Sequence, residues 1–178
     1  MKKTFALILS IVMALSIFAG CGGNEGGSAS AAFAGMSLED ILNGIYEQKA
    51  PEFGVATIPV DLADPDSVFY FTGLDADQSA KIKEVAVSES MMGSQAYSLV
   101  LVRVNDAADA SAVAEAMKNG IDPRKWICVE ADDLRVAAAG DVVMLIMVSS
   151  EYASAITAEQ VVGVFKELAG GSLSVDLV

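Results

Sequence analysis

The sequence predicts an α+β fold: an antiparallel sheet of about five to six strands with about three helices packed mostly on one face. Three observations carry that expectation. Apolar residues recur at helical spacing in three segments, and between those segments the period changes to two. The strand pairs are also joined by connections too short for a crossover, so neighbouring strands must run antiparallel.

The three helical segments share apolar positions at i, i+3, i+4 and i+7, which lays a stripe along one side of a helix. They are Leu38, Ile41, Leu42 and Ile45; Ala110, Val113, Ala114 and Met117; and Val161, Val164, Phe165 and Leu168. Ser37 and Asp106 stand where a side chain can accept first-turn N–H groups, and Thr157 with Gln160 fits a reciprocal capping box. Pro51 lies beyond the first helix, Gly120 ends the second, and Gly170 with Gly171 ends the third. Glycine and proline are the residues expected at such ends.

The strands follow from alternation. Val85 and Val87 alternate with Glu84, Ala86 and Ser88, while Val100, Val102 and Val104 oppose Leu99, Leu101 and Arg103. Met91 to Ser94 suits a hairpin between them. A second hairpin is predicted where Leu134–Ala138 meets Val142–Val148 across Gly140 and Asp141. Every residue of Val142–Val148 is apolar, so both of its faces should be covered and it belongs near the centre of the sheet. Further strands are expected at Val68 and Tyr70 before Gly73, at Trp126, Cys128 and Glu130, and weakly at Leu173–Leu177. In that setting Cys128 reads as a small buried hydrophobe in preference to a nucleophile. The two halves share a loose strand–strand–helix rhythm, but no short repeat is evident.

At the amino terminus Lys2 and Lys3 precede an apolar run from Phe5 to Phe18, the pattern of a secretory signal. Thr4 to Gly20 would span about 25 Å as a helix, a marginal crossing of a bilayer core of roughly 30 Å. The small pair Ala19 and Gly20 directly before Cys21 favours cleavage over anchoring by the helix. Phe18-Ala19-Gly20-Cys21 resembles the lipobox of bacterial lipoproteins, with Phe18 where that family most often has Leu. The resemblance implies that Cys21 becomes the mature first residue and carries diacylglycerol on its sulfur, enough acyl chain for stable membrane attachment. Residues 22–34 are rich in Gly, Ser and Ala and too poor in apolar groups to order themselves, with a root-mean-square reach of roughly 20 Å. The predicted layout is therefore a signal peptide over 1–20, a lipidated Cys21 with a flexible tether over 21–35, and one globular domain over 36–178. The domain is expected at the outer face of the cytoplasmic membrane.

Composition excludes several partners. The chain of 178 residues has 11 basic and 24 acidic residues and no histidine. Removing residues 1–21 takes away two lysines and no acid, leaving nine basic residues, 24 acidic ones and a net charge of −15. Such a surface repels nucleic-acid phosphate and is pushed from anionic lipid headgroups. The membrane is thus expected as a partner through the lipid alone, with an envelope protein as the other candidate partner. With Cys21 acylated, Cys128 is the single remaining thiol and no internal disulfide can form.

The stretch FYFTGLDAD, residues 69–77, and the stretch SMMGSQAYSLVLVRVNDAADASAVAEAMKNGID, residues 90–122, resemble a family of short lipoproteins of anaerobic Gram-positive bacteria catalogued as a domain of unknown function. The features shared are Tyr70-x-x-Gly73-Leu74-Asp75, the Met91 region, the apolar strand ending in an acidic turn, and the helix after it. The resemblance implies export and lipidation, and assigns no activity and no site.

Without histidine, Ser–His–Asp and Cys–His catalysis and His-containing zinc sites are excluded. No glycine-rich phosphate loop is present, and no cofactor is expected. Asp61, Asp64 and Asp66 form an acidic loop that invites calcium, an ion that takes several oxygens. The EF-hand pattern fails there, because its sixth position is Asp66 and its twelfth is Thr72; a turn shaped by Pro65 ahead of a strand accounts for the same residues. Glu130, Asp132 and Asp133 are the candidates for a carboxylate-dependent hydrolase, against the plainer reading of a solvated connection. Lys81 and Lys83 near Ser88 and Ser90 lack the S-x-x-K spacing of a Ser–Lys enzyme. Arg124, Lys125 and Trp126 place a basic pair beside the single Trp, a candidate site for an anionic ligand or an aromatic partner. The expectation is a non-enzymatic binding or interaction module, with a calcium or small-molecule sensor as the alternative.

Overall fold

The computed structural model describes residues 32–178. The predicted signal peptide, Cys21 and the tether up to residue 31 lie outside the described residues. No helix among the described residues is long and apolar enough to cross a membrane.

The expected α+β architecture is present. In chain order the elements are α1 (Leu38–Gln48), β1 (Val55–Ile58), α2 (Pro65–Thr72), the single turn α3 (Ala76–Ser79), β2 (Ile82–Ser90), β3 (Tyr97–Val104), α4 (Ala110–Gly120), β4 (Asp133–Ala139), β5 (Val142–Val148), α5 (Ala158–Leu168) and β6 (Val175–Leu177). Six strands form one sheet in the order β1-β2-β3-β5-β4-β6, and every neighbouring pair is antiparallel. Both predicted hairpins form. All residues of β5 are buried, and β5 lies inside the sheet between β3 and β4.

The helices divide between the two faces of the sheet instead of gathering mostly on one. Tyr97, Leu99 and Leu101 of β3 and Val142, Met144, Ile146 and Val148 of β5 pack under α1 and α5. Val100, Val102, Val104, Val143, Leu145 and Met147 point the other way, under α4 and the end of α2. Side chains alternate across a strand, so two covered faces require the continuous apolar runs of β3 and β5. The rhythm β2-β3-α4 and β4-β5-α5 therefore places its two helices on opposite faces, and no two-fold axis normal to the sheet relates the halves.

Capping follows the sequence closely at α1 and α5. Ser37 and Asp40 form a complete capping box, as do Thr157 and Gln160. Asp106 caps a 3-10 turn over Ala107–Asp109 that leads into α4.

Three expectations are corrected. The strand expected around Val68 and Tyr70 is helix α2: Asp64 accepts the N–H groups of Asp66 and Ser67, Pro65 occupies the first turn, and Gly73 ends the helix in the left-handed region at φ 74°. These boundary signals outweigh the strand preference of Phe69, Tyr70 and Phe71. The strand expected at Trp126–Glu130 is irregular chain, in which Cys128 is exposed at φ 61°. Cys128 is therefore not the buried hydrophobe expected. The tether boundary at 35 also moves: Phe33 is buried, and its ring packs tilted against Phe165 with centroids 5.0 Å apart.

Candidate interaction site at one end of the sheet

The site begins with the alternation of β2. Val85 and Val87 face α2 and α4, so Glu89, two residues on, brings a carboxylate to the same apolar face, where it is buried. A buried carboxylate requires a partner. It is supplied by the irregular segment 121–132, which crosses this corner and ties itself down locally. Ala131 N–H donates to Pro123 O, Ile127 N–H to Gly93 O, and Arg124 N–H to the Asp122 carboxylate, each at 2.9 Å. With its polar groups spent this way the segment cannot add a strand to the sheet.

Lys125 drops from this segment onto Glu89, with Nζ 2.5 Å from Oε1 and side chains only 2 % and 9 % exposed. The two charges touch, and neither atom has a hydrogen-bond partner beyond the other. The rest of the ammonium shell is aromatic: the ring centroids of Tyr70, Phe71 and Trp126 lie 5.0, 5.2 and 5.4 Å away. Faces of aromatic rings attract a cation at this distance. Burial holds the Lys125 ammonium below its ordinary pKa, with Glu89 and then Asp122 opposing that shift. Burial and the neighbouring Glu89 and Asp122 carboxylates push the Tyr70 phenol up.

Beside this box lies an open cavity of about 340 Å³, lined by Asp66, Phe69, Tyr70, Gly120, Asp122 and Lys125. Its shape depends on two glycines. A Cβ on Gly120 would stand 2.0 Å from Gly73 O, and one on Gly73 would stand 2.3 Å from Ile121 N. The ends of α2 and α4 thus meet backbone to backbone, which no other residue permits. The box and the 121–132 segment continue onto an exposed apolar surface. Phe69 and Tyr70 are about half exposed, and Met91, Met92 and Ile127 project more than half of their surface. Ile127, bonded to Gly93 and two residues from Lys125, connects the tip of the β2–β3 hairpin to the rings of α2.

The predicted basic site is rearranged by this geometry. Lys125 is neutralised internally, Arg124 is exposed and bound to Glu130 at 2.8 Å, and Trp126 walls the Lys125 box. No free cationic pair is left to receive an anion. Asp61, Asp64 and Asp66 do not converge: Asp61 accepts Ala63 N–H, Asp64 caps α2, and Asp66 faces the cavity. No group of three acidic or cysteine side chains among the described residues could hold a metal ion.

Of the acids proposed for a hydrolase, Glu130 and Asp132 line one open pocket of about 300 Å³ with Glu151, while Asp133 turns away from it. Glu130 binds Arg124, Asp132 accepts both the N–H and the hydroxyl of Ser150, and Asp133 accepts the N–H of Ala158. Lys81 and Lys83 pair with Asp109 and Asp141, while Ser88 accepts from the Tyr46 hydroxyl and Ser90 donates to Gln95. Glu89, Phe69, Met92 and Ile127 had no place in the sequence reading as site residues. One signal was available for Glu89, an acid at an inward position of an alternating strand.

Compared with known protein families, with curated proteins and with solved structures, the chain matches none.

Proposed function

We propose that this protein is a non-enzymatic interaction module, exported and held at the outer face of the cytoplasmic membrane by lipid on Cys21, with its partner surface at the end of the sheet described above. The observation that carries the reading is the exposure of Phe69 and Tyr70 beside the Lys125 box and of Met91, Met92 and Ile127 around the hairpin tip, the two groups being linked by the segment 121–132. Exposed apolar side chains scattered singly need no explanation, whereas a contiguous group marks an interaction surface. Methionine suits such a surface because its unbranched side chain adapts to the partner. The acidic remainder of the domain keeps it off anionic headgroups and directs attention to protein.

The test is site-specific photo-cross-linking in cells, with benzoylphenylalanine at position 92 and, as control, at the exposed position 47 of α1. A discrete heavier adduct from position 92 alone supports the module. Absence of an adduct from 92, or the same adduct from both positions, overturns it. The anchor has its own test: wild-type protein incorporates labelled palmitate and Cys21→Ser does not. Failure of the wild type to take up label removes the lipid from the proposal.

A further inference from the structure

We infer that the cavity between α2 and the end of α4 is an anchor pocket for a basic side chain, lysine or arginine, on the protein partner; this rests on the interaction reading above. Charge is the first argument. Of the cations at this end, Lys125 is matched by Glu89 and Arg124 by Glu130. Lys118, in the last turn of α4, is directed to the carbonyl of Val178. Asp66 and Asp122, both lining the cavity, form no ion pair among the described residues, and Asp122 acts on Lys125 only at longer range than Glu89 does.

Position is the second argument. Gly120 closes an eleven-residue helix, and the free carbonyls at a helix C-terminus carry a partial negative charge that favours a cation. The third argument is the wall. Phe69 and Tyr70 present half-exposed rings to the cavity, and the same corner already surrounds an ammonium with rings 5.0 to 5.4 Å away. The cavity is thus lined by two carboxylates, two half-exposed rings, Gly120 and the Glu89-matched Lys125, a set with surplus negative charge that matches a long aliphatic stem with a cationic head. The apolar residues Met92 and Ile127 lie further along the same surface, so the partner segment joins one basic residue to apolar neighbours.

The experiment uses N-acetyl-arginine amide and N-acetyl-lysine amide as probes on the full chain in detergent, read by saturation-transfer NMR, with N-acetyl-norleucine amide as the uncharged control. Saturable binding of a cationic probe is expected, weakened about ten-fold in the Asp66→Asn/Asp122→Asn variant, as loss of roughly 1.4 kcal/mol implies. Asn at 122 keeps the acceptor for Arg124 N–H, and an unchanged melting temperature verifies the fold. No saturable signal from either cation, equal binding of norleucine, or binding indifferent to the double variant overturns the pocket. If those results accompany a retained cross-link from position 92, the interaction module stands and the anchor alone is lost. A Met92→Ser/Ile127→Ser variant that binds the probes normally but loses its partner separates the two in the opposite sense.

Discussion

Each face of the sheet buries one cation, and the two are held in different ways. Under α1, Arg103 spends its planar head in three directions, on Glu84 at 3.2 Å, on Asp141 at 2.8 Å and on the carbonyl of Met36 at 2.6 Å. That arrangement is directional and leaves no buried Arg103 nitrogen without a partner. Under α2, Lys125 has one carboxylate, no second hydrogen-bond acceptor and a shell of three rings. A guanidinium fork fixes geometry, whereas an ammonium among rings is held by charge alone. The difference teaches where rigidity ends in this molecule: the Arg103 corner joins the amino-terminal segment to the sheet, while the Lys125 corner supports rings that turn outward to a cavity and an apolar surface.

The sharpest test of that contrast is Lys125→Met. It leaves Glu89 buried without a counter-charge, and the expected loss is about 3–5 kcal/mol in urea unfolding. The Lys125→Met/Glu89→Gln pair should recover most of it, and equal losses in both variants would show that the ion pair does not hold the corner. Next in size is Gly120→Ala, whose new methyl meets Gly73 O and forces α2 from α4 at a cost of about 2 kcal/mol. Thermal unfolding measures it.

Arg103→Lys should lose about 1–2 kcal/mol because a compact ammonium cannot reach three acceptors spread around the plane of the guanidinium. A smaller loss there than from Lys125→Met supports the contrast between a satisfied cation and an exacting one. Asp132 gives a pH signature near the same end. Its hydrogen bonds from Ser150 hold its carboxyl below the ordinary 3.8. The stabilisation is therefore present above that value and is lost as pH falls through the lower folded-state value. Asp132→Asn should flatten that part of the acid unfolding curve. Smallest in stability is Met92→Ser/Ile127→Ser, within about 0.5 kcal/mol of the parent, although partner capture should disappear.

Legibility varied with the kind of signal. Helices α1, α4 and α5 were readable because their stripes and ends agree, and both hairpins because their connections are short. Helix α2 carried equally good ends, Asp64-Pro65 and Gly73, but its run of aromatic residues resembles a strand. The segment around Trp126 alternates as a strand does, yet its N–H groups bond to Asp122, Pro123 and Gly93 instead of to a neighbouring strand. Arg124, Lys125 and Trp126 stand out in the sequence as a basic pair beside the single Trp, but the carboxylate that pairs with Lys125, Glu89, lies 36 residues earlier in the chain.

The sequence by itself determined the α+β class, the antiparallel pairing and the excess of negative charge, because these follow from periodicity, connection length and composition, which are local or additive. Only the tertiary structure decided that the helices cover both faces, that Lys125 is cancelled by Glu89, and that Ile127 comes to the hairpin tip at Gly93. Those facts depend on which distant segments meet, and an ammonium in a sequence carries no mark of the carboxylate that will stand beside it.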